Sequence, residues 1–190
     1  LLWFCVSSEG DWAMSTTVIT AGVIQASASI TLRYAEAVPN GIDAADFGKK
    51  ARIGGEVIDG NTPAFVYGHL ALYPSRVVEF AGLDAAAVTP SEAWVKLFSD
   101  GEPCHDDPDG TIYPAKDELV SAAVEAQRAA IDAVASMDEA SLARPNPSEG
   151  GRARLPTVGD AANFYLSGHA MMHLGQLSFW RRVMGVGSIF

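Results

Sequence analysis

From Thr157 to Gly185 the chain runs without a proline, and apolar residues recur along it at helical spacing. Thr157 with Asp160 three residues on makes an acidic capping box, and Gly185 is a stop signal. A helix this long must bury one face against partners, and three further segments read as those partners. The first spans about Ser15 to Val38, with Val18, Ile19, Val23, Ile24, Ile30 and Leu32 in an Ala/Ser-rich background, and Pro39-Asn40-Gly41 ends it. The second begins at Asn61 or Thr62 with Pro63 in its first turn and carries Phe65, Val66, Leu70, Tyr73, Val77 and Phe80. Gly82 ends it, and Pro74 should kink it, because proline lacks an N–H and crowds the preceding turn. The third covers about Ala115 to Met137. No run alternates as a strand does. The implied fold is all-α, a four-helix bundle.

The helices are joined by long connections. The stretch from Gly82 to about Pro114 holds a short helix at SEAWVKLF and then the loop SDGEPCHDDPDGTIYP, and connections of this length are often functional. Another loop is marked by Pro145, Pro147 and Gly150-Gly151. The leading residues LLWFCVSSEGDWA read as an upstream or non-native leader over 1–13, with Met14-Ser15 as a natural start and 14–190 as the domain.

Composition narrows the partners. Hydrophobic residues make up 48 % of the 190 residues, ample for a core, while the net charge of -10 opposes binding to nucleic acid or an anionic membrane. Cys5 and Cys104 form no CxxC pattern, so a reducing, cytoplasmic setting is expected. No apolar stretch approaches the roughly 18 residues that span a bilayer.

The chemistry concentrates in histidines. His169 and His173 lie four apart on the fourth helix, where two imidazoles can converge on one ion or pack among apolar neighbours. His69 sits near the middle of the second helix, at a depth where a bundle brings it towards that pair. Both His69 and His169 follow a glycine, Gly68 and Gly168, and a glycine inside a helix costs about 1 kcal/mol relative to alanine. Close helix approach or room for a ligand would account for that cost. Three neutral imidazoles leave a coordination position open, the pattern of a catalytic metal, and suit zinc, nickel or iron(II).

GHLALYP on the second helix, the YP…DEL lead into the third and GHAMMHLGQL on the fourth resemble the DinB-like (YfiT-type) superfamily over about Met14 to Phe190. The resemblance implies a bundle in up-down-down-up order, the Gly82–Pro114 connection crossing between parallel second and third helices. It implies a divalent metal held by His69, His169 and His173, and a homodimer. Relatives of known activity include transferases and isomerases that use a low-molecular-weight thiol. The expected function is accordingly a metal-dependent enzyme, a thiol S-transferase or isomerase acting on a small molecule. The alternatives are a non-catalytic metal-binding or dimerising bundle and a metal-dependent hydrolase. The last is weakened because no Asp or Glu lies within one turn of the three histidines in sequence.

Around the histidines, Tyr73 and Arg76 share the face of His69 approximately, and Arg76 could hold a substrate carboxylate bidentately or form a surface ion pair. Tyr165 and Gln176 could fix imidazole tautomers or, for Tyr165, simply pack. CHDDPDG matches no EF-hand or zinc spacing and reads best as a solvated acidic loop, and its Cys104 lacks a nucleophile's context. Arg181 and Arg182 read as cations complementing the dipole at the end of their own helix.

Overall fold

The computed structural model describes residues 20–189. The leader expected over 1–13 and the first turns expected from Ser15 lie outside the described residues. Helix α1 covers Ala21–Ala37, its start capped by Thr20, whose hydroxyl accepts from the Val23 N–H at 3.4 Å. The second expected helix is two: α2 covers Pro63–Leu70 and α3 covers Pro74–Phe80. Pro74 therefore interrupts rather than kinks. The chain turns at 71–73 and restarts with proline in the first turn, where a missing N–H costs no bond. Thr62, not Asn61, caps α2, accepting from the Phe65 N–H at 3.1 Å.

Helix α4 covers Glu92–Phe98 and α5 covers Lys116–Ala135. Two short helices, α6 at Glu139–Ala143 and α7 at Glu149–Arg152, occupy the loop around Pro145 and Pro147. The fourth long helix starts at the capping box read from Thr157 and Asp160. It runs as α8 (Val158–Asn163), a π-helical stretch (Phe164–His169) and α9 (Ala170–Val183). A small hairpin, absent from the sequence reading, pairs β1 (Arg52–Ile53) with β2 (Glu56–Val57) antiparallel. Two-residue strands are too short to show alternation. The signal was the intervening Gly54-Gly55, whose φ values of 60° and 90° suit a primed turn that disfavours side chains.

Contacts between the long helices fix which ends meet. The Gln25 amide reaches the Ile131 carbonyl at 3.5 Å, while Lys116 donates to the Pro39 and Ile42 carbonyls at 3.0 and 2.7 Å, so α1 and α5 run in opposite senses. Phe65 and Leu70 share a core cluster with Leu119 and Ala123, and Val77 and Val78 share another with Ala130 and Val134. The α2–α3 pair and α5 therefore run the same way, and the connection between them spans the bundle's length. Ile24 and Ala28 pack in the cluster of Val158, Ala162 and Leu166, at the opposite end from Trp180 and Leu177.

Two expectations are corrected by burial. Arg181 does not serve the end of its own helix: it is 4 % exposed. Its guanidinium donates to the Val38 and Asn40 carbonyls at 2.7 and 2.5 Å and, through Nε, to Gly187 at 3.1 Å. The last carbonyls of a helix have no intrahelical partner, and a fork of donors from a neighbouring helix satisfies those at the end of α1. CHDDPDG is solvated only in part: His105, Pro108, Asp109 and Gly110 are exposed, but two of its aspartates are engaged within the protein. Asp107 is buried and accepts from the Thr111, Ile112 and Tyr113 N–H groups at 2.9, 3.0 and 3.0 Å. Asp106 accepts from the Lys50 N–H at 2.8 Å and pairs with Arg52 at 2.5 Å. The Cys104 sulfur accepts from the Thr62 N–H at 3.3 Å, tying the loop to the start of α2. The aspartates hold backbone because a reversing loop leaves N–H groups unpaired, and carboxylates collect them.

Removing the Arg181 fork strands several buried carbonyls at once, so Arg181→Ala should lower the unfolding free energy by about 3 kcal/mol, while Arg182→Ala should change it by under about 0.5 kcal/mol. Urea unfolding of the two variants checks the contrast.

Candidate metal centre

His69 arrives on the last turn of α2, His169 closes the π-helical stretch, and His173 stands one turn into α9. The structure brings the three together. Nε2 of His169 lies 3.2 Å from Nε2 of His69 and 3.2 Å from Nε2 of His173, and the ring centroids are 4.7–5.1 Å apart. All three residues are buried, at 5–8 % exposure. Among the described residues they form one cluster whose candidate ligand atoms lie within 4.8 Å of one another.

The outer nitrogens decide what the inner ones present. Nδ1 of His69 is 2.7 Å from the Phe98 carbonyl, which can only accept. His69 is therefore protonated on Nδ1 and offers a lone pair on Nε2. Nδ1 of His173 faces the Gln176 side-chain oxygen at 3.1 Å, with the same result. Nδ1 of His169 has no hydrogen-bond partner among the described residues. Two inward lone pairs sit 3.2 Å from a third ring nitrogen, and neutral nitrogens repel in that arrangement unless a proton or a cation lies among them. Tetrahedral zinc with Zn–N bonds of about 2.0–2.1 Å separates its nitrogens by about 3.3 Å. Two of the three separations meet that spacing, so the donor set fits a divalent cation of this size.

Burial keeps these rings neutral. Desolvation is the first cause of a lowered pKa at all three: His169 falls to about 3, helped by the adjacent histidines, and His173 to about 4. His69 is also lowered, against the opposing pull of its bond to Phe98 and of the Asp100 carboxylate. Asp100, two residues past α4, also acts on His173 and Tyr73. It is the acid that sequence distance concealed: thirty-one residues separate it from His69, and only the fold turns α4 back onto α2.

The glycine before each histidine has its own explanation. A Cβ on Gly68 would stand 2.3 Å from the Phe98 ring, so glycine there lets α4 lie against α2 and aim the Phe98 carbonyl at His69. The Trp94 indole N–H donates to the Gly68 carbonyl at 2.8 Å and reinforces the approach. Gly168 has no such role: a Cβ there meets only a Phe164 ring carbon at 3.8 Å, an ordinary contact. The expectation of close helix approach at that position is not met.

The remaining expected residues group around the triad. Tyr73, in the turn between α2 and α3, sets its ring edgewise against His69 and His169, with centroids at 5.2 and 4.8 Å, and stacks on Tyr165 at 5.2 Å. Burial raises the Tyr73 pKa, so its hydroxyl stays a donor at neutral pH. The Arg76 guanidinium lies over the Tyr73 ring, 5.4 Å from its centroid. The CHDDPDG residues Cys104, His105, Asp106, Asp107 and Asp109 do not join the cluster. Two clefts of about 430 and 210 Å³ also lie apart from it, one along α1 and α5, the other beside Trp94.

The sequence model of the DinB superfamily matches residues 30–177, from α1 through the fourth helix past Gln176. The chain belongs to the DinB superfamily. No curated protein and no solved structure matches it significantly. The superfamily match spans all three histidines of the cluster, so in this DinB-superfamily chain the buried triad falls within the matched core rather than in an appended segment.

Two outcomes are expected. Gly68→Ala must displace the Phe98 ring and should destabilise the protein by about 1–3 kcal/mol, whereas Gly168→Ala should be neutral or stabilising by up to about 1 kcal/mol; thermal melts of both variants check it. The metal-free protein should lose stability as pH falls below the ordinary histidine value of 6.5 towards about 4 and then 3, because the unfolded chain takes up protons that folded His173 and His169 refuse. Above pH 6.5 these groups are neutral in both states and contribute no slope, and His169→Gln should flatten the acid limb of the unfolding free energy.

Proposed function

We propose that this DinB-superfamily protein is a metal-dependent enzyme in which His69, His169 and His173 hold one divalent cation through Nε2. The observation that carries the reading is the convergence of the three ring nitrogens, two of them presenting lone pairs because their outer nitrogens donate to Phe98 and Gln176. A cation held by three protein nitrogens has room for a further ligand and would supply Lewis acidity towards a coordinating thiol, carbonyl or water. The protein's part is to keep the imidazoles neutral by burial and to restrict access, since each ring retains only a sliver of exposed surface. The Tyr73 hydroxyl is a donor beside the site, and the Arg76 guanidinium adds positive charge on the same side, suited to an anionic small molecule.

The reaction class we favour is transfer of a low-molecular-weight thiol to an electrophile, or a related thiol-assisted isomerisation, on the resemblance to relatives of known activity. A cytoplasmic homodimer is part of the same reading. No helix among the described residues is long and apolar enough to cross a membrane. A hydrolytic reading would need a general base, and Asp100, an exposed carboxylate whose charge bears on His69, His173 and Tyr73, is the acid to test for it.

Elemental analysis of protein purified without chelator should find about one zinc, nickel or iron per chain, and His69→Ala should weaken metal binding at least about tenfold in a chelator competition. Absence of stoichiometric metal together with unchanged affinity in His69→Ala would sink the proposal. If thiol transfer is the reaction, a screen of electrophiles with bacillithiol or mycothiol should show turnover that chelator abolishes. Turnover without any thiol that Asp100→Asn reduces would favour hydrolysis instead.

A further inference from the structure

We infer that Asn61 and Gln176 form a two-position hydrogen-bond switch that sets the tautomer of His173 and thereby the affinity of the triad for a divalent cation, an inference that rests on the metal reading above. Asn61 has no capping duty, because Thr62 performs it. Instead its side-chain N–H reaches 115 residues along the chain to the Gln176 side-chain oxygen, at 3.0 Å. That same oxygen accepts from Nδ1 of His173 at 3.1 Å. One acceptor thus serves two donors, and the arrangement leaves Nε2 of His173 as a lone pair directed at His169.

The two amides can reverse together. Asn61 then presents its oxygen, Gln176 donates its N–H both to Asn61 and towards Nδ1 of His173, and His173 must carry its proton on Nε2. In that state a hydrogen points into the triad at the place where a cation would sit. The present orientation permits metal; the reversed one opposes it. His69 has no such freedom, because the Phe98 carbonyl can never donate. Of the two histidines whose outer nitrogens are bonded, His173 alone is adjustable, and the adjusting pair comes from the start of α2 and the middle of α9. Tying these helices at Asn61 therefore couples their approach to the state of the ligand.

The test exploits acids that can only accept at neutral pH. Gln176→Glu can only receive from Nδ1 of His173 and from Asn61, so it fixes the metal-ready tautomer. Asn61→Asp can only receive from Gln176, so it turns the Gln176 N–H towards His173 and fixes the opposing tautomer. Both changes add one negative charge near the cation, and simple electrostatics would have both tighten binding. We expect opposite signs: Gln176→Glu binds Zn²⁺ as well as or better than the parent chain, and Asn61→Asp binds it about 10–100-fold more weakly, by competition with a chromophoric chelator at pH 7.5. Tighter or unchanged binding in Asn61→Asp overturns the inference. A second readout needs no metal: ¹⁵N chemical shifts of the His173 ring in the metal-free protein should report protonated Nδ1 in Gln176→Glu and protonated Nε2 in Asn61→Asp. The same tautomer in both variants overturns the inference even if the parent chain binds metal. Failure of the parent chain to bind Zn²⁺, with the tautomers still opposed, would overturn the metal reading and the control of affinity, and leave only the control of the His173 tautomer standing.

Discussion

Three imidazoles gathered at one point inside a bundle impose a single demand, that each ring be neutral, and the bundle supplies an acceptor to the outer nitrogen of two of them, His69 and His173. Charged rings at 3.2 Å would repel, and burial already penalises them, which is why all three are held below their ordinary pKa. The architecture around the site follows from that demand. Helix α4 lies against α2 because a carbonyl must be brought to His69, and Gly68 makes the approach sterically possible. Gln176 is on α9 three residues beyond His173 because the second outer nitrogen needs an acceptor. The connection that carries α4 is in turn held to α2 through Cys104, to the hairpin region through the Asp106 carboxylate, and to the Gly48 carbonyl through the Asp107 backbone N–H. The loop's aspartates serve the site indirectly, by fixing the strap on which Phe98 arrives.

Much of the fold was legible because it depends on local signals. The boundaries at Thr157 and Gly185, the cap read at Asn61 or Thr62 and found at Thr62, and the stop at Pro39 are decided within a few residues, and the helices follow them. The triad was legible for a related reason: two histidines one turn apart share a face whatever surrounds them, and the third needed only a partner helix at similar depth. What stayed hidden was long-range. Nothing near Asp100 marks its charge as one that bears on His69, and nothing in Asn61 indicates a partner beyond residue 170. Arg181 looked like a helix-end cation because its target, the end of α1, lies over 140 residues earlier. The hairpin at 52–57 was missed for the opposite reason, its strands being shorter than the period that reveals strands.

Proline and glycine acted as stronger punctuation than periodicity suggested. Pro74 follows an unbroken apolar pattern, and the pattern alone argues for continuity, yet the chain stops at Leu70 and restarts. The interruption places Tyr73 in a turn rather than on a regular helical face, and from there its ring reaches His69, His169 and Tyr165 together. A straight helix would have turned that ring with its neighbours along the bundle.

The π-helical stretch at Phe164–His169 has a consequence for length rather than chemistry. Upstream of it Val158 and Ala162, with Leu166 inside it, face one core cluster, and downstream Ala170, Leu174 and Leu177 face the other. A wider turn between them acts as a phase adjuster, absorbing about one residue so that both halves keep their apolar sides inward. His169 closes that adjustment and His173 follows it by one turn. Regularising the turn to ordinary α-helix with every residue kept would rotate one half by about 100° relative to the other, whereas deleting the one absorbed residue would let the turn tighten with both halves still in phase. The site is thus specified by a count of residues as much as by their kinds.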